Sequence, residues 1–385
     1  MLGPLVIFDK SFLQMLSAEE VFELILLFNP VGTPLLVREI IADLKKDPAT
    51  TKRLPVDVVR ELAEKMSQAN GVQPADFRKL TIANLCGAEV PMFGQVPVDT
   101  EAPGVRQAEG GKLLLIDSSP EQRMWDRWAA GEFSTDDQEV AAAWRSGLEK
   151  VDLRAVGDAW KDFGREHFGT ASNLSELIGQ VEVLLSDPQP DRQLELLGFI
   201  LSFVQAPADP KALAYKLLLE QRYTRICDFA PYAASVLKLY LSFIGGLARG
   251  FIGPRPSHYL DMQYLFYAPF CMVFVSADKF HRELWPATAG INTFVWGQDL
   301  KSDLANRMTV RKEMTQEQHK AHSENYGFYP IETEGSITNE LWKRYMRPPE
   351  EILAPRRQAE TIDDLEPEVR NLLKRAMREF DKNDA

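Results

Sequence analysis

The chain has 385 residues, 45% of them hydrophobic and 26% charged, with a formal net charge of −12 at pH 7. That composition excludes disorder as the default and leaves length for one large domain or two to three smaller ones. The net acidity excludes a generally basic nucleic-acid-coating protein, but not a local basic groove.

Residues 4–8 (PLVIF) read as a short buried strand with Asp9 at its carboxyl end. The amino terminus has no basic start followed by a long apolar stretch, so no signal peptide is expected. Ser17 and Glu20 have the spacing of a capping box. They open a helix through Val21, Leu24, Ile25 and Phe28, which Asn29-Pro30 breaks. A third apolar run at 34–37 (PLLV) reads as a second strand and leads into Glu39 and Asp43, four residues apart. The order strand–Asp–helix–strand–Glu fits a βαβ unit and hence an α/β fold with a parallel sheet.

From about residue 45 to 207 the character changes. A helix is expected over 55–70, a turn-rich stretch over 84–111 and a strand near 112–116. Helical pieces carrying Trp125, Trp128, Trp144 and Trp160 follow, then helices over 173–186 and 193–205. Residues 211–250 are dense in Leu, Tyr and Ala at helical spacing, with Pro231 expected to split the run. Gly253-Pro254-Arg255-Pro256 ends it.

Residues 258–281 (HYLDMQYLFYAPFCMVFVSADKFH) form the most apolar stretch of the chain. Asp261 sits on a helical segment that Pro269 closes, and 271–275 (CMVFV) suits a strand buried on both faces. Asp278 follows at that strand's carboxyl end, where open α/β sheets place ligand sites. The run from Met262 to Ala277 is shorter than the ~20 residues of a membrane span, and Gln263 and Pro269 interrupt it. No membrane segment and a cytoplasmic location are therefore expected. A short helix at 279–284, an apolar run at 293–296 and a polar helix from Asp299 come next. The amphipathic helix at 365–380 could dock on its own domain or pair two copies as a homodimer. Three scattered cysteines, Cys86, Cys227 and Cys271, show no zinc spacing, and two lie in apolar surroundings that suit buried free thiols.

Four elements thus place carboxylates beside short apolar runs: Asp9, Glu39 (with Asp43), Asp261 and Asp278. Any one of them could be a simple helix cap. Gathered at one sheet edge, they would repel unless protonated or bridged by cations. Mg²⁺ or Mn²⁺ takes such oxygen ligands, and a two-metal carboxylate site activates water and stabilises the leaving oxygen in phosphodiester hydrolysis.

The ordered set Asp…Glu…Asp…Asp, in VIFDKSFL, LLVREIIADL, YLDMQYLFYA and FVSADKFH, resembles the PIN-like nuclease superfamily. These are metal-dependent enzymes that act mostly on RNA, with some DNA-cleaving relatives. The resemblance implies a three-layer α/β/α core with a parallel sheet, built from residues 1–46 and 210–300. A mostly helical insertion at 47–209 and a helical carboxyl-terminal extension at 301–385 lie outside it. It implies that Asp9, Glu39, Asp261 and Asp278 are the catalytic acids and hold one or two Mg²⁺ or Mn²⁺ ions in an endonuclease that takes RNA in preference to DNA.

Auxiliary candidates are Asp43 for a second metal, and Lys10 and Lys279 for the scissile phosphate. His258 and His281 could donate to a phosphate or protonate a leaving oxygen. For each, a solvated or structural role is the plainer alternative. Arg123, Trp125, Arg127 and Trp128 form a candidate nucleic-acid-binding face. Further basic residues (Lys46, Lys301, Arg307, Arg311, Lys312 and Lys343 among them) could meet phosphates. His319 and His322 read as a solvated helix face, since a zinc site needs more ligands. Two other readings remain: a catalytically silent PIN-like scaffold whose insertion binds a protein partner, and a phosphatase with an Asp nucleophile. The latter lacks its second aspartate, because Asp9 is followed by Lys10-Ser11-Phe12.

Overall fold

Strand β1 (Leu5–Phe8) is short because it is wholly core: Val6, Ile7 and Phe8 are buried on both faces of the sheet. The computed structural model describes residues 3–353, except 51–52, 70, 93, 99–104, 108–113, 117–119, 221–224, 289 and 291. Asp9 ends β1 and caps helix α1 (Lys10–Met15), its side chain accepting from the Phe12 N–H. Helix α2 (Ala18–Leu27) starts with the expected capping box, both of its Ser17–Glu20 bonds being present.

The next element differs from expectation. The second strand, β2, is Asn29–Pro30, and it pairs parallel with β1 in the register Leu5↔Asn29 and Val6↔Pro30. The run 34–37 is not a strand but the start of helix α3 (Pro34–Ala42). Thr33 caps it by accepting from the Leu36 N–H at 3.1 Å, and Pro34 occupies the first turn, where its missing N–H costs nothing. Leu35, Leu36, Ile40 and Ile41 then recur on the buried side. Four apolar residues are too few to separate a strand from a buried helix by periodicity, and the Thr-Pro start decides for helix. Thr33 is fully buried, so Thr33→Ala is expected to cost about 1–2 kcal/mol. Urea denaturation checks this, and an unchanged midpoint would rule out a structural role for the cap.

Helices α4 (Pro55–Ala69) and α5 (Phe77–Leu85) follow, then an antiparallel pair, β3 (Val105–Gln107) with β4 (Leu114–Ile116). Helices α6 (Pro120–Ala129) and α7 (Thr135–Glu149) come next. The helices Leu174–Ser186 and Pro190–Phe203 fall where expected. Pro231 splits the run as expected: one short helix ends at Phe229, and Pro231–Arg249 opens with the proline in its first turn. This helix is long and apolar enough to cross a membrane by composition, but its residues are mostly buried in the fold. It packs against helices of the segment 47–209 at very short range. A Cβ on Gly245 would lie 2.9 Å from the Phe168 ring. Only glycine allows that approach. One continuous hydrophobic core therefore runs from β1 through the helical segment to the last strands.

The stretch 258–281 divides as expected into the helix Ser257–Leu265, a 3₁₀ turn at Ala268–Phe270 and strand β5 (Val273–Ser276). The helix Lys279–Leu284 then leads to β6 (Thr293–Trp296). The sheet is four-stranded and parallel throughout, in the order β2-β1-β5-β6. The fold is thus mixed α/β with a parallel sheet. Cys271 is buried, but Cys227 is exposed and Cys86 only half-buried, so just one thiol is a core residue. The amphipathic segment 365–380 lies outside the described residues.

Candidate functional site

In this sheet the chain leaves β1 towards β2 on one side, whereas β5 continues to β6 on the other. The carboxyl ends of β1 and β5 therefore flank the point where strand order reverses, the place where open α/β sheets bind ligands. Asp9 follows β1, and Ser276 and Asp278 end β5. Helix α3 and the helix Ser257–Leu265 bring Glu39 and Asp261 to the same place: the Tyr264 hydroxyl donates to Glu39 Oε2 at 2.5 Å. The charges of Asp278, Glu39 and Asp9 all act on Asp261. The four acids singled out from the sequence thus lie close enough for their charges to act on Asp261.

Their environments differ. Asp9 is buried and heavily bonded. Its Oδ1 accepts from Ser11 Oγ and the Phe12 N–H, both at 2.9 Å, and its Oδ2 from Ser276 Oγ at 2.6 Å. The His281 Nδ1 lies 3.4 Å from Oδ2. Burial alone would raise the Asp9 carboxyl, but the His281 hydrogen bond and charge, then Ser276 and Phe12, outweigh it, and its pKa falls below the ordinary value.

His281 is fully buried, and its hydrogen bonds define its protonation. Nε2 faces the Asp261 carbonyl oxygen at 2.8 Å, which can only accept, so Nε2 carries a proton. Ser276 Oγ has one proton and gives it to Asp9 Oδ2, an acceptor-only partner. That hydroxyl then accepts from the Asp278 N–H at 2.9 Å and faces His281 Nδ1 at 2.7 Å. Nδ1 must therefore donate as well, and the ring is an imidazolium. Burial pulls its pKa down, but the Asp9 hydrogen bond and charge, with the charge of Asp261, carry it above the ordinary value.

Asp261 has the opposite character. Its carboxyl has no hydrogen-bond partner among the described residues. Burial, then the charges of Asp278, Glu39 and Asp9, push its pKa up to about 7 against the opposing pull of His281. Asp278 caps the helix Lys279–Leu284 through the Phe280 N–H at 2.8 Å. No group of three or more His, Cys, Asp or Glu side chains is drawn together in a metal-holding arrangement among the described residues. In donor chemistry the four carboxylates supply the oxygen ligands a hard divalent cation takes, with Asp261 raised by burial first and then by its neighbours' charge.

The auxiliary candidates divide. Asp43 is not an exposed helical acid but a buried one, gripped by Lys10 and Lys46 at 2.9 Å each. Its Oδ2 has no partner among the described residues. Lys10 also donates to the Glu39 carbonyl at 3.2 Å, tying the acid segments α1 and α3 together. Lys279 is exposed beside Asp278. His258 stacks on Phe280 (centroids 4.5 Å apart, 6° between planes) and bonds the Gly253 carbonyl, so it serves local structure. His281, by contrast, lies inside the cluster.

The expected nucleic-acid face is overturned. Trp125 and Trp128 are buried, edge to face at 5.2 Å, in the apolar side of α6 that packs on α4. Arg127 is bound by Asp137 and donates to the Glu132 carbonyl. Large aromatics three apart on a helix form a core stripe more readily than a stacking platform. Arg123 is exposed on the same helix. Much of the remaining basic set is also spent internally. Lys301, Arg311 and Lys312 pair with Glu20, Glu23 and Glu19 of α2, Lys343 pairs with Glu332, and Arg307 is buried. Asp303 is buried in hydrogen bonds with Ser336 and Thr338 and has a structural role. His319 and His322 bond the Arg311 and Tyr329 carbonyls on the helix Gln316–Tyr326, which has no buried residue.

Sequence reasoning missed Ser276, Ser11 and Tyr264, the residues that hold the acids. Tyr264 sits three positions after Asp261, on the same helix face. Ser276, a hydroxyl at the end of a fully apolar strand two residues before Asp278, was the other available signal. Comparison with protein-family models, with curated proteins and with solved structures found no match.

Proposed function

We propose that the chain is a divalent-metal-dependent endonuclease with a three-layer PIN-like core, hydrolysing phosphodiester bonds in RNA in preference to DNA. The observation that carries this reading is the set of four carboxylates from four separate segments at the sheet's reversal point, with Asp261 pushed to about 7 by burial and its acidic neighbours. Four carboxylates that share His281 as their buried cation retain an excess of negative charge, which suits a further cation. Asp9, Glu39, Asp261 and Asp278 would hold Mg²⁺ or Mn²⁺, which supplies an activated water and charge stabilisation when bound. His281 and Ser276 keep Asp9 ionised and oriented, and Tyr264 orients Glu39. Lys279, exposed beside Asp278, is available to a phosphate at the entrance.

One set of observations favours the second reading, a silent scaffold that binds a protein partner through its helical insertion. The hydrogen bonds of Asp9 occupy both of its oxygens, and many basic side chains are paired within the fold. A cleavage assay on single-stranded RNA and DNA, with and without Mn²⁺ or Mg²⁺, separates the two. Metal-dependent cleavage of RNA is expected, falling by about 10²-fold or more in Asp9→Asn and Asp278→Asn. Activity that survives both substitutions would sink the site assignment. The absence of cleavage and of metal binding by calorimetry would leave the scaffold.

A further inference from the structure

A cavity lies on the other side of the helices that carry Glu39 and Asp261. Helix α3, helix α7 and the helix Ser257–Leu265 enclose about 370 Å³ between them, within the size range of small-ligand pockets. Tyr259 and Gln263, one helical turn apart, face into it, so Asp261 between them points to the opposite side of the same helix. Arg38 lines it from α3, one residue before Glu39. The cavity and the acid cluster are thus separate sites that share two walls.

The lining combines flat apolar surface with unspent polar groups. Phe77, Trp144, Leu148 and Tyr259 supply the walls. Gln263 is 5% exposed, and its amide has no hydrogen-bond partner among the described residues. Trp144 Nε1 is likewise buried without a partner. A buried amide left unpaired is costly, and one that lines a cavity points to a ligand that pairs with it. Gln263 offers both donors and an acceptor, which suits the mixed edge of a heteroaromatic ring.

The cations complete the description. Arg38 is held by Asp76 at 3.1 Å and lies over the Trp144 ring at 5.7 Å. Arg78 is exposed at the cavity, its guanidinium 5.6 Å from the Phe77 centroid and without an ion pair among the described residues. It is free to take an anion attached to the ring.

We propose that this cavity binds a nucleoside monophosphate: the base lies between the aromatic walls, its edge meets Gln263, and its phosphate meets Arg78. The inference does not rest on nuclease activity. Calorimetric titration of the full chain with AMP, GMP, CMP and UMP, in EDTA to keep metal from the acids, tests it. Saturable binding of at least one is expected, about tenfold weaker for the matching uncharged nucleoside and in Arg78→Ala. Gln263→Leu is expected to weaken it about tenfold by removing the pairing group.

Gly147→Phe is the blocking variant. Gly147 lines the cavity on α7, and a Cβ there meets nothing within 4 Å, so a ring at the cavity wall is tolerated without disturbing packing. Because Gly147 is helical, its replacement does not cost the helix, and thermal melting confirms that the variant folds. Loss of binding in Gly147→Phe supports the site. Unchanged affinity in Gly147→Phe, or no saturable binding of any of the four up to about 1 mM, overturns it. Binding that appears only when Mn²⁺ is added belongs to the acid cluster and overturns it as well.

Discussion

In metal-free buffer, Asp261→Asn is expected to stabilise the protein above pH 7 and to leave it unchanged below pH 4. The folded state raises the Asp261 pKa from 3.8 to about 7, so it binds this proton more tightly than the unfolded chain does. The favourable contribution of the neutral acid is complete below the unfolded pKa and is lost as pH rises through the folded one. Above pH 7 the wild type carries a half-buried carboxylate without a hydrogen-bond partner among the described residues, within reach of the charge of three others. A neutral amide removes that charge at similar volume. The gain is about 2–4 kcal/mol, the upper end being the full pKa difference converted at 1.36 kcal/mol per unit. Chemical denaturation in EDTA at pH 4, 6 and 8 measures it. A difference between wild type and variant that does not change with pH would refute this account of Asp261. Mn²⁺ should reverse the order at pH 8, since a cation that binds only the native state stabilises by mass action and the variant has lost a ligand.

His281→Ala is expected to be the most destabilising single substitution at the site, by about 3–5 kcal/mol at pH 6, because it removes the cation from a buried pair and leaves Asp9 charged and alone. The pH dependence of this pair has two limits of opposite sign. The share of Asp9, whose pKa is lowered, is present above 3.8 and lost as pH falls through the folded value. The share of His281, whose pKa is raised, is complete below 6.5 and lost as pH rises through the folded value. The pair therefore contributes most between about pH 4 and 6.5. Nitrogen NMR of the ring is a direct check. Both ring nitrogens should be protonated at pH 6, and a neutral imidazole there would remove the proposed counter-charge.

These two side chains show how far the sequence carries. Asp261 and Asp278 were legible as site candidates because each ends or precedes an apolar run whose length suits a buried element. The Ser17–Glu20 capping box and β6 (Thr293–Trp296) were legible for similarly local reasons: caps and short apolar blocks are contained within a few residues. The run 34–37 failed because four apolar residues fit a strand and a buried helix equally, and β2 was missed because two residues, Asn29 and Pro30, carry no strand signal. Trp125 and Trp128 failed for another reason. Helical spacing says that two rings share a face, but not whether that face meets water or α4.

By itself, the sequence determined that this is an α/β chain with short buried strands ending in acids and a long helical stretch between them. Those are properties of hydrophobic periodicity, capping and length. Only the tertiary structure decided that β5 lies beside β1, so that Asp9 meets Ser276 and His281 across more than 260 residues of chain. It alone separated a low-pKa, ion-paired Asp9 from an unpaired Asp261 near neutrality. Both are aspartates beside apolar runs, and burial and neighbouring charge, which set the proton affinity of a carboxylate, come from residues that local sequence does not place.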